Sequence, residues 1–119
     1  MPAEIHWEGD SKEVLSAFPS DVKKNFGYNL RRLQNGLPPV CDTRSLPSIG
    51  KGVYELKDAD KRTWYRVMYL SKIDDVIYVL HCFEKDSRKT GRRDINIAQE
   101  RLKAVRQRIL EGKRETRRK

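Results

Sequence analysis

Three apolar runs in close succession, "GVYELK" (52–57), "TWYRVMYL" (63–70) and "VIYVLHCF" (76–83), do most to limit what this chain can fold into. They are rich in aromatic and β-branched residues, which pack well on a pleated surface. The charged turn "DADKR" and the turn "KIDD" separate them. Neither is long enough for a crossover, so the three runs predict strands joined as antiparallel hairpins. The third run is apolar on both faces, as a central strand is.

The flanking segments predict helices. "EIHW" (4–7) reads as a short first strand. In "DSKEVLSAF", Asp10 as N-cap with Glu13 three residues on has capping-box spacing and predicts a short helix that Pro19 ends. Ser20 then caps a longer helix. Its Val22, Phe26, Leu30 and Leu33 recur at helical spacing, and "NG" at 35 and 36 closes it. "LPPVCDTRSLPSIGKG" holds too much Pro and Gly for regular structure. Ile95, Ala98, Leu102, Val105 and Ile109 form the stripe of a last helix, which Gly112 is expected to stop. The expected order is strand, helix, helix, three strands, helix. That is an α+β domain, 1–112, with helices packed on a small antiparallel sheet and a disordered basic tail at 113–119.

Charge narrows the partners. Residues 1–84 hold 12 basic and 12 acidic side chains; residues 85–119 hold 14 and 5, and so carry the whole net charge of +9. Five of the nine residues from Lys85 to Arg93 are cationic, beside the start of a helix whose macrodipole opposes positive charge. Such asymmetry points to a polyanion, nucleic acid first; the basic segment lacks the aromatic face that would insert into a membrane. No window has the apolar length of a membrane span, and the acidic start is unlike a signal peptide. Cys41 and Cys82, without a CxxC pattern, read as reduced thiols of a cytoplasmic protein. With His6 and His81 the only imidazoles, no zinc site or other metal or cofactor is expected.

From Tyr65-Arg66-Val67 through Leu80-His81-Cys82-Phe83-Glu84-Lys85 to Lys89-Thr90 and Ile97-Ala98, the chain resembles the RelE/ParE toxin superfamily, closest to its phage-derived HigB-like branch. The resemblance covers residues 44 to 110 by motif and the whole chain by element order. It implies a RelE-like fold and a type II toxin. Such a toxin is a metal-independent endoribonuclease that cleaves messenger RNA on the ribosome and is neutralised by a cognate helix-turn-helix antitoxin. Operator DNA would be met only through the antitoxin. By the same resemblance Arg66 matches the strand arginine that contacts the reacting phosphate, and Lys85 the basic residue just past the last strand. Gly91 stands where RelE itself has a tyrosine and this branch commonly a proline.

The residues suit that chemistry. When a 2′-hydroxyl attacks the adjacent phosphate, charge gathers on the phosphorane oxygens, which Arg and Lys stabilise. Like charges around Lys85 disfavour its ammonium form and suit it to proton transfer. Arg66 is a charge within an apolar strand, where it needs either a phosphate or an ion pair with Glu55 on the neighbouring strand. Lys57, Lys61, Arg62, Arg88, Lys89, Arg92 and Arg93 are expected to touch RNA backbone. Strand alternation puts His81 on a face with Ile77, Val79 and Phe83, as a semi-buried structural histidine and a secondary proton-transfer candidate. Trp64 and Tyr65 could stack on bases, although core packing claims at least one. Two other readings of the chain remain: a ParE-like gyrase inhibitor without catalysis, and a plain RNA- or DNA-binding module.

Overall fold

Asp74 and Asp75 both take positive φ, 50° and 64°, which is the two-residue primed turn that matches the twist of a hairpin. That turn joins the two longest strands of the computed structural model, which describes residues 2–86 and 90–118, side chains at 72 and 114–118 excepted. In chain order the elements are β1 (Glu4–Trp7), α1 (Ser11–Ser16), α2 (Ser20–Gln34), β2 (Asp42–Ser45), β3 (Val53–Ala59), β4 (Trp64–Ile73), β5 (Val76–Lys85) and α3 (Arg92–Arg118).

The strands form one sheet in the order β1-β5-β4-β3-β2. This is the expected α+β architecture, with two refinements. The sheet is mixed, because β1 lies parallel to β5 while every other pair is antiparallel. The two helices carry the chain from β1 to β2 at the far edge of the sheet, and three antiparallel reversals from β2 to β5 then bring β5 back beside β1 in the parallel sense. The segment read as irregular also contributes a strand: β2 pairs with β3, placing Arg44 opposite Glu55 and Asp42 opposite Lys57.

Helices cover both faces. On one, Leu15 of α1 and Val22, Phe26 and Leu30 of α2 pack with Leu56, Val67, Tyr69, Ile77 and Val79. On the other, Ala98, Leu102 and Val105 of α3 pack with Met68, Leu70, Leu80 and Phe83. The switch of faces along β5 comes from a bulge. Met68 pairs with His81 while Tyr69 pairs with Val79, so Leu80 is the extra residue and the alternation changes phase there. His81 therefore shares the α3 side with Phe83, not with Ile77 and Val79 as alternation predicted.

The helix ends depart from their sequence signals. Asp10 precedes α1 but makes no side-chain capping bond; its carboxylate accepts from Arg101 at 2.9 Å. Pro19, not Ser20, occupies the N-cap of α2. Asn35-Gly36 does end that helix, Gly36 with φ of 75°. α3 runs through Gly112 to Arg118, so the tail expected to be disordered is helical there. Glycine weakens a helix by about 1 kcal/mol relative to alanine, which strong helix formers on either side can offset. Among the described residues, no helix is long and apolar enough to cross a membrane.

Candidate functional site

Strand register places Lys57, Arg66 and Lys85 on one face of three adjacent strands. Lys57 lies directly opposite Arg66, and Lys85 is paired with Trp64, one step along the same face. Like charges facing each other across a ladder destabilise a sheet, so the Lys57–Arg66 juxtaposition needs compensation. Glu55 supplies it for Arg66. Its Oε1 accepts from Arg66 Nη1 at 2.7 Å, with the glutamate side chain 0% and the arginine 2% exposed. Arg44 adds a second cation 3.8 Å from the same oxygen, and Asp42 lies 3.5 Å from Lys57 Nζ. Thr90 completes the cover of the guanidinium: its hydroxyl accepts from Arg66 and donates to Glu55, each at 3.4 Å. The Arg66 guanidinium also lies 6.0 Å from the Trp64 ring centre. Arg66 thus makes the ion pair that its strand position required.

Lys85 closes the other end of the row. Its Nζ is 3.5 Å from Asp94 Oδ2 in the first turn of α3. The crowd of cations read from the sequence therefore contains an anion. A Cβ on Gly91 would come within 2.1 Å of that Nζ, so glycine is what lets the ammonium lie against the start of the helix. The other oxygen of Asp94 is 2.8 Å from His81 Nε2. Arg101 Nη1 reaches His81 Nδ1 at 3.4 Å, and a guanidinium can only donate. The imidazole is therefore neutral, donating through Nε2 to Asp94 and accepting at Nδ1. Burial holds its pKa below the usual histidine value, against the pull of Asp94. With both nitrogens engaged and its ring stacked on Phe83, His81 orients Asp94 and is poorly placed to take a proton from substrate.

The remaining candidates are spread around this row. Lys61 and Arg62 are exposed in the β3–β4 turn, which Asp60 organises by accepting from the backbone N–H groups of Arg62 and Thr63. Arg92 and Arg93 are exposed at the start of α3. Arg88 and Lys89 lie outside the described residues. Tyr65 is buried, donating to Asp60 at 2.9 Å, and belongs to the core rather than to a base-stacking platform. Burial raises the pKa of both thiols, Cys82 strongly, so neither is a nucleophile of the thiolate kind. Among the described residues no group of three metal-ligating side chains occurs.

Residues 13–103 match the family of phage-derived Gp49-like proteins (DUF891). The chain belongs to that family. No curated protein and no solved structure matches it significantly. The Gp49-like segment contains Arg44, Glu55, Lys57, Arg66, Lys85, Asp94 and Arg101, and stops short of the last 15 residues of α3, from 104 to 118. Sequence reasoning missed Arg44, Asp94 and Arg101. Only Asp94 left a signal, as the lone acidic residue in the first turn of a helix entered through a basic run.

Proposed function

We propose that this Gp49-like protein is the toxin of a type II toxin–antitoxin system, of the RelE type and its HigB-like branch, cleaving messenger RNA on the ribosome in the cytoplasm without a metal. The observation that carries the reading is the row of Lys57, Arg66 and Lys85 on one sheet face, three cations each positioned by a carboxylate in a line that suits a chain of phosphates. Membership of a family associated with RelE-type toxins supports it. In this reading Arg66 keeps its pair with Glu55 and stabilises charge on the reacting phosphate once the Thr90 cover over its guanidinium opens. Lys85, set against Gly91 and steered by Asp94, provides the second positive charge and a proton-transfer group. Lys57, Lys61, Arg62, Arg92 and Arg93 hold the flanking backbone, and ribosomal RNA supplies the surrounding polyanion. A helix-turn-helix antitoxin keeps the toxin inactive and is the only link to operator DNA.

One observation favours a second reading. The buried Arg66–Glu55 pair is self-sufficient in the free protein, as expected of a non-catalytic, ParE-like inhibitor. Induced expression of the parent, Lys85→Ala and Lys85→Arg proteins, with 5′ ends mapped on messenger RNA, separates the two. A nuclease yields new 5′ ends with the parent. Lys85→Ala loses them by about 100-fold, the scale of removing one transition-state donor. Lys85→Arg keeps association but loses cleavage, because arginine retains its proton near neutral pH. Growth arrest without new 5′ ends selects the non-catalytic reading.

A further inference from the structure

The two flanks of α3 treat their cations differently. On one flank, Arg101 pairs with Asp10 at 2.9 Å and Arg108 pairs with Glu8, so both are used to hold the helix to the start of the chain. The other flank carries Arg92, Lys103, Arg106 and Lys113, with neutral residues at 96, 99 and 110 filling the positions between them. Steps of four and three residues join these seven positions, which is one row along a helix. All seven are exposed, and none is a carboxylate. Among the described residues no ion pair engages any of the four cations; Arg106 donates only to the Lys51 carbonyl, at 2.8 Å. That bond brings the row beside the loop that carries exposed Lys51. Of the acidic residues of α3, those at 94, 111 and 115 fall outside this row, and Glu100 flanks it, three residues from Lys103 without an ion pair to it.

A solvated helix has no need of such sorting. Mixed charge along one face adds favourable pairs at i and i+4, whereas like charges there destabilise a helix by a few tenths of a kcal/mol. From Arg92 to Lys113 the row spans about 32 Å at 1.5 Å per residue, as a straight and rigid line. The partner with matching chemistry is an equally stiff line of phosphates. We infer that this row of α3 is a second RNA-binding surface, which meets the contacts flanking the Lys57–Arg66–Lys85 row only at Arg92 and lies along the phosphate backbone of an RNA duplex. The choice of RNA rests on the proposed function; the phosphate chemistry does not. Duplex RNA is recognised chiefly by shape and by its phosphates and 2′-hydroxyls, so the contact anchors the protein without selecting a sequence. In the sequence the same spacing continues to Arg114 and Arg117.

The test uses the full chain, a blunt RNA duplex as probe, and affinity measured across a salt series. Lys103→Gln with Lys113→Gln removes two charges that neither the core nor the proposed catalytic row uses. Lys12→Gln with Lys24→Gln removes two exposed lysines from the helices on the opposite side of the sheet. Each lost phosphate contact lowers the slope of log affinity against log salt by about 0.7 to 0.9. The α3 pair is expected to lower it by roughly 1.5, so that its defect shrinks about 8-fold when salt rises fourfold. The control pair should leave the slope in place, and thermal unfolding should be the same for all three proteins. Equal slopes for the two double variants overturn the inference. An α3 defect seen with a polyglutamate peptide but absent with the duplex also overturns it, in favour of an acidic protein partner. A parent protein that yields no new messenger RNA ends yet shows the α3-dependent slope rejects the nuclease and leaves this surface standing.

Discussion

Removing the Arg66 side chain would strand Glu55, a carboxylate with no exposed surface whose main partner is that guanidinium. Breaking a buried pair from one side costs about 3–5 kcal/mol, a large share of the 5–15 kcal/mol that holds a typical domain together. Arg66→Ala is therefore expected to lose growth inhibition and also to unfold at lower denaturant, so activity alone does not isolate the phosphate contact. Replacing both partners by apolar residues is often neutral or stabilising. Glu55→Leu with Arg66→Met is expected to recover the denaturation midpoint while remaining non-toxic. Recovery of toxicity in that double variant would show that Arg66 acts only through the fold. His81 permits a second measurement. Its folded-state pKa lies below the usual 6.5 because burial disfavours the charged ring. As pH falls through about 6.5 the unfolded chain takes up the proton first, so stability declines with acidification until the folded-state pKa is reached. Asp94, Arg101 and Asp10 surround the ring and set where that decline ends. His81→Gln can still donate to Asp94 and accept from Arg101 but does not titrate. Urea midpoints between pH 7 and pH 5.5 are expected to fall for the parent and to fall less for this variant; parallel curves would remove His81 as the cause.

At the level of elements, α3 offers the most direct check of how a local signal was overruled. Gly112 lies within a continuous helix, with nothing within 4 Å of where a Cβ would stand. Gly112→Ala should therefore raise stability by about 0.5–1 kcal/mol and increase helical circular dichroism, since the backbone is already helical. A loss of stability would place the end of the helix at that glycine after all. The same contrast explains what else could be read in advance. The three hairpin strands and the apolar stripes of α2 and α3 were legible because burial imposes a period on the sequence. β2 was not, because all four of its residues are exposed and its place is set by pairing across to β3. The bulge at Leu80 was invisible for a related reason: one extra residue reverses the phase of alternation without altering composition. Cations of the candidate site could be found as a charge run, and Glu55 as the neighbour that Arg66 required. Asp94 left only its place as the one acidic residue in the first turn of α3, and the partners of Asp94 and Thr90 could not be read, since they meet only once α3 has folded back against β5 and β4.

The molecule as a whole carries a neutral body and a basic helix, and its longest dimension of 54 Å against 33 and 24 Å follows the reach of a 27-residue α3. Under the proposed function, a toxin so built would meet any phosphate chain in the cell, and its control would require a partner that outcompetes nucleic acid. Two features of the surface would suit one. The cation row from Lys57 to Lys85 suits acidic side chains, whose contacts would block the site directly. Where α2 ends, a cavity of about 490 Å³ is lined by Leu33, Leu37, Pro38, Tyr54, Tyr69 and Ile77, and Leu37 is 47% exposed. An apolar segment seated there would keep the toxin off the ribosome by bulk. The product of an adjacent gene, small and with a DNA-binding domain, is expected to co-purify with this chain and to restore growth when co-expressed. Close charge pairs at such interfaces are worth about 1.5–7 kcal/mol, enough for the complex to survive purification. Leu37→Asp separates the two geometries. Capture that resists this change and weakens in high salt identifies the acidic mode, while capture that fails with Leu37→Asp and ignores salt identifies the apolar one. If no neighbouring gene product binds the chain or relieves growth arrest, the toxin reading falls and a plain nucleic-acid-binding protein takes its place.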